Sequence, residues 1–458
     1  MKRLSAKLLV PLALTCAILS GCASGASSGS TSAPSATSTA SASASATNSG
    51  APIKIAFTWW GTQPRHDYTQ QLTDLYTKEN PNVTFENIPL GWDGYFDKLS
   101  TEAASGTMPD LIQMDYLYID TYAANGTLTD MQPYIDDGTI DTSSWDKDLL
   151  NSGIVNGKMV AMVLSSSVLA FPYNPTVLQN AGLSDPSPTW TWTDFMNDCL
   201  QVQSKTGKMG FASLPIDTNI LSYWVRQSGS PLFSADDKSL GYSDDSVFVN
   251  FCEMYQKLVQ AKAAPNPDQW MQISSLAQNA SPVVTGDAAF TQNWCNFDVS
   301  VESANANLKL ALPPQPDSSS GTATALWMKP GMFFSVAKTS KNPEACAQFI
   351  NWFTNSQEAN DIIMAERGVP VSSTIRDYLK PKVDAQTQAE FDYVSNAATY
   401  CGSVPAPDPQ GISEINTLLV DTINKVLYGQ LSPQDAATTF RSQANAILVR
   451  NNSGSSAS

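Results

Sequence analysis

The run Lys54-Ile-Ala-Phe-Thr-Trp-Trp-Gly61, followed by Thr62-Gln-Pro-Arg-His-Asp67, constrains the fold more than any other part of the chain. Its alternating β-branched and aromatic side chains favour a strand, which breaks at glycine and proline and restarts as a helix at Asp67. In an open α/β sheet, ligands bind beyond the carboxyl ends of such strands. Trp59, Trp60, Gln63, Arg65 and His66, the one histidine of the chain, are therefore expected at a single rim. The competing reading places one indole in the core and His66 on the surface.

The pattern continues for another two turns of strand and helix. Asp67 to Asn80 puts Tyr68, Leu72, Leu75 and Tyr76 on one helical face, and Val83 to Ile88 alternates as a second strand. A short helix around Tyr95 to Ala104 closes at Gly106, and Pro109 to Asp115 gives a third strand that presents Gln113, Asp115 and Tyr116 at its end. This alternation is the signature of a parallel sheet in an α/β protein, so the two rims should meet. Further on, Ser165-Ser-Ser167 joins two strand-like runs and looks like a crossing between lobes. Thr193 is the expected cap of the next helix, and Gly286 to Trp294 reads as one strand with an indole at its end. Pro313-Pro-Gln-Pro316 is a strong connection signal. Helices dominate from Ala385 to Leu448.

The beginning of the chain carries an address. Lys2, Arg3 and Lys7 precede an apolar run from Leu8 to Leu19, which is too short for a spanning helix and fits a secretory signal over residues 1–21. It ends in Leu19-Ser-Gly-Cys22, which resembles a bacterial lipobox and makes Cys22 the expected lipid anchor. Residues 22–50 are almost wholly Ser, Ala, Thr and Gly, a composition that cannot bury enough apolar surface to order itself. As a flexible stalk it would reach roughly 30 Å. The expected location is the outer face of the cell membrane of a Gram-positive bacterium, lipid-anchored and without a membrane crossing. Residues 453–458 are expected to form a loose tail.

With 26 Lys plus Arg against 42 Asp plus Glu, the chain carries a net charge of −16, which moves to about −19 once Lys2, Arg3 and Lys7 are removed. That argues against nucleic acid and anionic lipid as partners and suits neutral ligands. Beyond Cys16 and Cys22, five widely spaced cysteines remain, with no CxxC, so neither zinc nor a cofactor is expected and at most two disulfides could form. Several of them fit the role of small buried hydrophobes.

Several stretches, taken in order, resemble the family 1 extracellular solute-binding proteins of ABC importers. They are Trp59-Trp-Gly61, Pro109-Asp-Leu-Ile112, Asn156-Gly-Lys158, Tyr173-Asn174 before Ala181-Gly-Leu183, and Thr191-Trp-Thr-Asp194. Gly286-Asp-Ala-Ala-Phe290 leads to Trp294, Lys341-Asn-Pro-Glu-Ala345 precedes Phe349-Ile-Asn-Trp-Phe353, and Gly368-Val-Pro370 follows a helix. The resemblance implies a two-lobe periplasmic-binding-protein-like clamshell with discontinuous lobes. One lobe would hold residues 51–164 and 314–368, the other 165–313 and 369–452, with crossings at Ser165 to Ser167, at Pro313-Pro314 and after Arg367. It also implies a monomer that binds an oligosaccharide and delivers it to importer permease subunits. Trp294 matches a family tryptophan that stacks on a sugar ring. Ser167 stands where the maltose-binding member carries a glutamate, which removes one sugar-binding carboxylate.

A pyranose needs flat apolar platforms and fixed polar groups around its equator. Trp224 and Trp294 from one lobe would face Trp59, Trp60 and the Gln113 to Tyr116 rim of the other. Asp115 could accept two hydroxyl hydrogens or cap a helix. Arg65 could reach the ligand or stay solvated, and Arg367 could reach the cleft or pair with Glu366 or Asp361. Asn296 and Met332 complete the candidates. Paired carboxylates with flanking tryptophans would also describe a glycoside hydrolase. A peptide or adhesion module on the cell wall would fit the stalk but not the clamshell pattern.

Overall fold

The computed structural model describes residues 51–92, 94–214, 217–318 and 324–452. The expected signal, the Cys22 anchor, the stalk and the tail lie outside the described residues.

Two sheets organise the described chain. The first has five strands in the order Val83–Leu90, Ile53–Trp60, Leu111–Met114, Phe333–Val336 and Met162–Val163. Its first three strands are parallel, as the strand and helix alternation requires, and Phe333–Val336 runs antiparallel to both neighbours. Ile55, Phe57 and Trp59 alternate onto one buried face. There Phe57 meets Phe334 and Phe349 edge-on at 5.3 and 5.9 Å. Each such ring stabilises the lobe by roughly 1.5–3 kcal/mol through burial.

The helix after the first strand spans Gln63–Glu79, four residues earlier than its expected start. Pro64 causes the difference: in a first turn its missing N–H is no loss and its φ is already helical. The next helix, Tyr95–Ser105, ends at Gly106 in the left-handed region with φ 70°.

The second sheet is built on one nine-residue strand, Ser165–Tyr173. Its last three residues pair with Lys309–Ala311, its middle with Asn293–Trp294, and its first four with Met328–Pro330 and Val369–Pro370. Ala288–Phe290 and Met209–Phe211 extend the sheet. The three serines therefore lie inside a strand, paired on both sides, and do not form a joint between two runs. The expected strand from Gly286 to Trp294 is two, Ala288–Phe290 and Asn293–Trp294.

The chain passes between the sheets at three adjacent places: Leu164, Gly331-Met332, and Arg367-Gly368. The second differs from the expected Pro313-Pro314. Past those prolines, the Gln315 N–H still donates to the Trp190 carbonyl at 2.8 Å and Leu326 bridges to Cys401, so the chain changes sheet only at Gly331. Two prolines force an extended backbone, which is a local demand, whereas a change of sheet is set by tertiary pairing. Thr191, not Thr193, caps the helix Trp192–Thr206, in a capping box with Asp194.

The architecture is thus α/β in two lobes joined by three passages, a clamshell. Cys199, Cys252, Cys295 and Cys346 are free and buried, and Cys401 is free and half-buried, so none of the five forms a disulfide.

In the second lobe Gly210 sits so close to the helix Trp192–Thr206 that an added Cβ would stand 2.2 Å from the Cys199 Cα. Gly210→Ala should destabilise the protein by roughly 1–3 kcal/mol, lowering the urea midpoint with little change in slope.

Candidate functional site

The parallel strands of the first lobe end together at Trp60, Leu90 and Met114, and the loops beyond them make its rim. The two indoles expected there are sunk below it. Trp59 is 1 % exposed, and its Nε1–H donates to His66 Nδ1 at 3.1 Å. Burial, helped by Arg65 and Arg367 against the pull of Asp67, holds His66 below the usual imidazole range. Trp60 is buried under Trp92, Tyr95 and Phe96. The indole offered to solvent is Trp92, 46 % exposed, with Tyr118 nearby and itself stacked on Phe96 at 3.8 Å. Sequence reasoning missed it, although Gly91-Trp92 follows the second of three strands that end at one rim.

The expected cations and amides of this rim are held by partners within the first lobe. Arg65 forks onto both Glu366 oxygens at 3.0–3.2 Å, and the Tyr68 hydroxyl donates to the same carboxylate at 2.5 Å. A second Arg65 N–H points to Met332 Sδ at 3.6 Å, and Gln63 donates to Asp67. Arg367 is 3 % exposed among the rings of Tyr68, Phe334 and Phe353. It donates to Thr69 Oγ1 at 3.0 Å and to Gln113 Oε1, while the fully buried Gln113 donates to the Trp60 carbonyl at 3.2 Å. A buried guanidinium needs such partners to offset its lost hydration, so the expected cleft roles of Arg367 and Gln113 give way to structural ones.

Asp115 and Tyr116 do stand at the rim. Asp115 Oδ1 accepts the Leu117 N–H at 2.9 Å, so it caps the following turn. Tyr116 stacks on Phe333 and donates its hydroxyl hydrogen to the Pro405 carbonyl at 2.7 Å. That bond brings the Pro405-Ala-Pro-Asp-Pro409 loop to the rim.

On the second sheet, Trp294 is half-buried, and the Lys329 Nζ lies 4.6 Å from the centre of its ring. Lys329 also draws on three carboxyls. Asp115, Asp217 and Asp408 are each held above the usual carboxylate range by burial, and Lys329 pulls each back down. Asp217 is fixed by capping the helix Thr218–Arg226. Lys329, Asp217 and Asp408 carry no motif and were not foreseen. Ser167 Oγ lies 3.4 Å from Cys295 Sγ beside Trp294, and Asn296 is exposed at the cap of the next short helix.

Trp224 lies in a different setting. Its Nε1–H donates to the Val247 carbonyl, its ring packs on Trp192 and Phe251, and it lines a groove of about 300 Å³ on the helical layer with Asn250, Glu253 and Lys257. The expected pairing of Trp224 with Trp294 is therefore not made.

Behind Trp294, the Cys295 thiol donates to Glu390 Oε1 at 3.3 Å. Burial pushes Glu390 from 4.5 up to about 7, with Asp298 and Asp384 adding to the rise and the thiol opposing it.

Two α/β lobes joined by adjacent passages, with a half-buried indole under an ammonium beside one of them, define a ligand-binding clamshell. The chain belongs to the bacterial extracellular solute-binding protein family, whose pattern matches residues 61–360. A family 1 extracellular solute-binding protein from Alicyclobacillus acidocaldarius is 28% identical, with a TM-score of 0.78 over 88% of this chain and 100% of that one. A periplasmic oligogalacturonide binding protein from Yersinia enterocolitica is 25% identical, with a TM-score of 0.74 over 87% and 100% of the two chains. A putative ABC transporter periplasmic-binding protein of Escherichia coli, YcjN, is 20% identical over 330 residues, which is 68% of this chain and 71% of its own.

Glu390 gives the site a testable pH signature. Between 4.5 and about 7 the folded chain holds a proton there that the unfolded chain has released, so stability falls as pH rises through this window. Glu390→Gln removes that loss. Relative to the parent, the variant should gain roughly 3 kcal/mol between about pH 4 and about pH 8 in denaturant titrations; a gap that stays constant with pH would place the proton elsewhere.

Proposed function

We propose that the chain is an extracytoplasmic receptor that binds an oligosaccharide between its lobes and presents it to the permease of an ABC importer. The observation that carries this reading is Trp294 on the passage sheet, half-buried, with the Lys329 ammonium over its ring. An indole face packs on the C–H face of a pyranose, and carboxylates accept its hydroxyl hydrogens. The membership of the family, the oligogalacturonide ligand of the Yersinia relative and the transporter role in the name of the E. coli relative support it.

In this reading the lobes divide at Leu164, Gly331 and the stretch after Arg367, and ligand favours the closed arrangement through contacts that the open one lacks. Trp92 and Asp115 serve from the first lobe, Trp294 and Asp217 from the second. No described helix is long and apolar enough to cross a membrane, and Cys22 is the proposed lipid anchor on the outer face. The receptor acts as a monomer and releases its sugar intact, so incubation with a bound oligosaccharide should give no product.

Trp294→Ala should weaken sugar binding by roughly 2–4 kcal/mol in calorimetry, and Trp92→Ala by less, because Trp92 is the more exposed of the two. An unchanged dissociation constant in the Trp294 variant would reject the assignment.

A further inference from the structure

The helical layer of the second lobe holds a concavity of its own. The helices Trp192–Thr206, Thr218–Arg226 and Ser246–Gln260 enclose the groove of about 300 Å³, and no residue of the passage strands or of the first-lobe rim lines it. Its volume sits at the lower end of the ~300–1,000 Å³ range of small-ligand sites.

Two indoles form a corner in its wall. Trp192 and Trp224 meet at 4.9 Å with their planes 59° apart, and Phe251 backs Trp224 edge-on at 5.6 Å. Both indole N–H groups are already used, since Trp192 donates to Gln227 Oε1 at 2.7 Å and Trp224 to the Val247 carbonyl at 2.8 Å. The rings are therefore fixed in orientation and offer the groove carbon surface, with Met196 and Met254 beside them. A platform fixed in advance has little rotamer freedom left to lose when a ligand packs on it.

The polar groups of the groove are uncommitted. Asn250, Glu253 and Lys257 recur along one face of Ser246–Gln260, and their side chains make no hydrogen bond or ion pair among the described residues. Glu253 and Lys257 stand four apart, a spacing that favours pairing, yet they do not pair. Asp317 joins them, its Oδ1 accepting the Thr193 N–H at 3.0 Å. One ammonium set against two carboxyls leaves little net charge, which suits a neutral ligand. Donors and acceptors also stand together, and a sugar hydroxyl uses both.

We propose that this groove is a second binding site, which takes a neutral pyranose outside the cleft, packed on Trp224 and hydrogen-bonded by Asn250 and Glu253. Every lining residue belongs to the second lobe, so the site gives a glycan a foothold that does not depend on closure of the lobes.

Labelling the purified protein with 5-fluorotryptophan gives each indole its own fluorine resonance, and Trp224→Phe and Trp294→Phe assign the two that matter. The probes are methyl α-glucoside, methyl β-galactoside, methyl α-mannoside, maltose and cellobiose, each titrated to about 100 mM. At least one should shift the Trp224 resonance saturably, and that response should survive Trp294→Ala. The Asn250→Ala/Glu253→Ala double variant keeps its helix, because alanine suits one, and should weaken the response at least about fivefold with the thermal midpoint unchanged. A Trp224 response without one from Trp294 would support the groove while defeating the carbohydrate reading of the cleft. No saturable shift at Trp224, a shift lost in Trp294→Ala, or one indifferent to the double variant would overturn the proposal. So would a stronger response to choline chloride than to any sugar, which would make the indole corner a cation box.

Discussion

Three crossings of the chain, hydrogen-bonded side by side, are the constraint on which the two-lobe arrangement depends. A chain passing between two sheets must still satisfy its backbone donors and acceptors. Here Ser165 to Ser167 pair with Lys329 and Pro330 on one side and with Val369 and Pro370 on the other. The Ser165 hydroxyl, buried, donates to the Arg367 carbonyl at 2.5 Å. Gly331 and Gly368 are needed for this closeness: a Cβ on Gly331 would stand 2.4 Å from Ser165 Oγ, and Gly368 has φ +99°. Passages tied together in this way bend as one strip, which confines relative motion of the lobes to a hinge.

The same strip builds the site. Lys329 and Ser167 are register partners within it, and Trp294 pairs with Leu169 two residues further along the same long strand. The groups proposed to face the ligand in the second lobe are thus fixed to the element about which the lobes would turn. Those of the first lobe stand on strand ends held by its interior, where Arg367, Gln113 and the Trp60 carbonyl form a buried polar chain. Such a chain stays buried because each member satisfies the next.

Much of the fold was legible in the sequence, because periodicity reports which face of an element is buried. The three parallel strands of the first sheet, the helix closed at Gly106 and the indole at Trp294 follow from alternation, a left-handed stop and a strand end. Depth was not legible. Trp59 and Trp60 sit at the close of a strand as expected, yet one turns into the core and the other lies under Trp92. Whether a side chain at a strand end meets solvent depends on what the next loop lays over it, and no local pattern records that. The partners of Arg65 and Arg367 were hidden for a related reason: Glu366 holds the first, and Gln113 and Thr69 the second, from positions distant in sequence. Lys329 and Asp408 escaped notice because a single charge in a short strand or a proline loop has no period at all.

The buried thiols carry a consequence for a protein of an extracytoplasmic family. Thiol exchange proceeds through the thiolate, and burial raises the pKa of Cys199, Cys252, Cys295 and Cys346 above the ordinary thiol range, which suppresses that form. Folded, these sulfurs are sealed from oxidants as well as from one another. Their chemical lifetime outside the cell is therefore governed by how rarely each lobe opens, and conformational stability doubles as the chain's antioxidant defence.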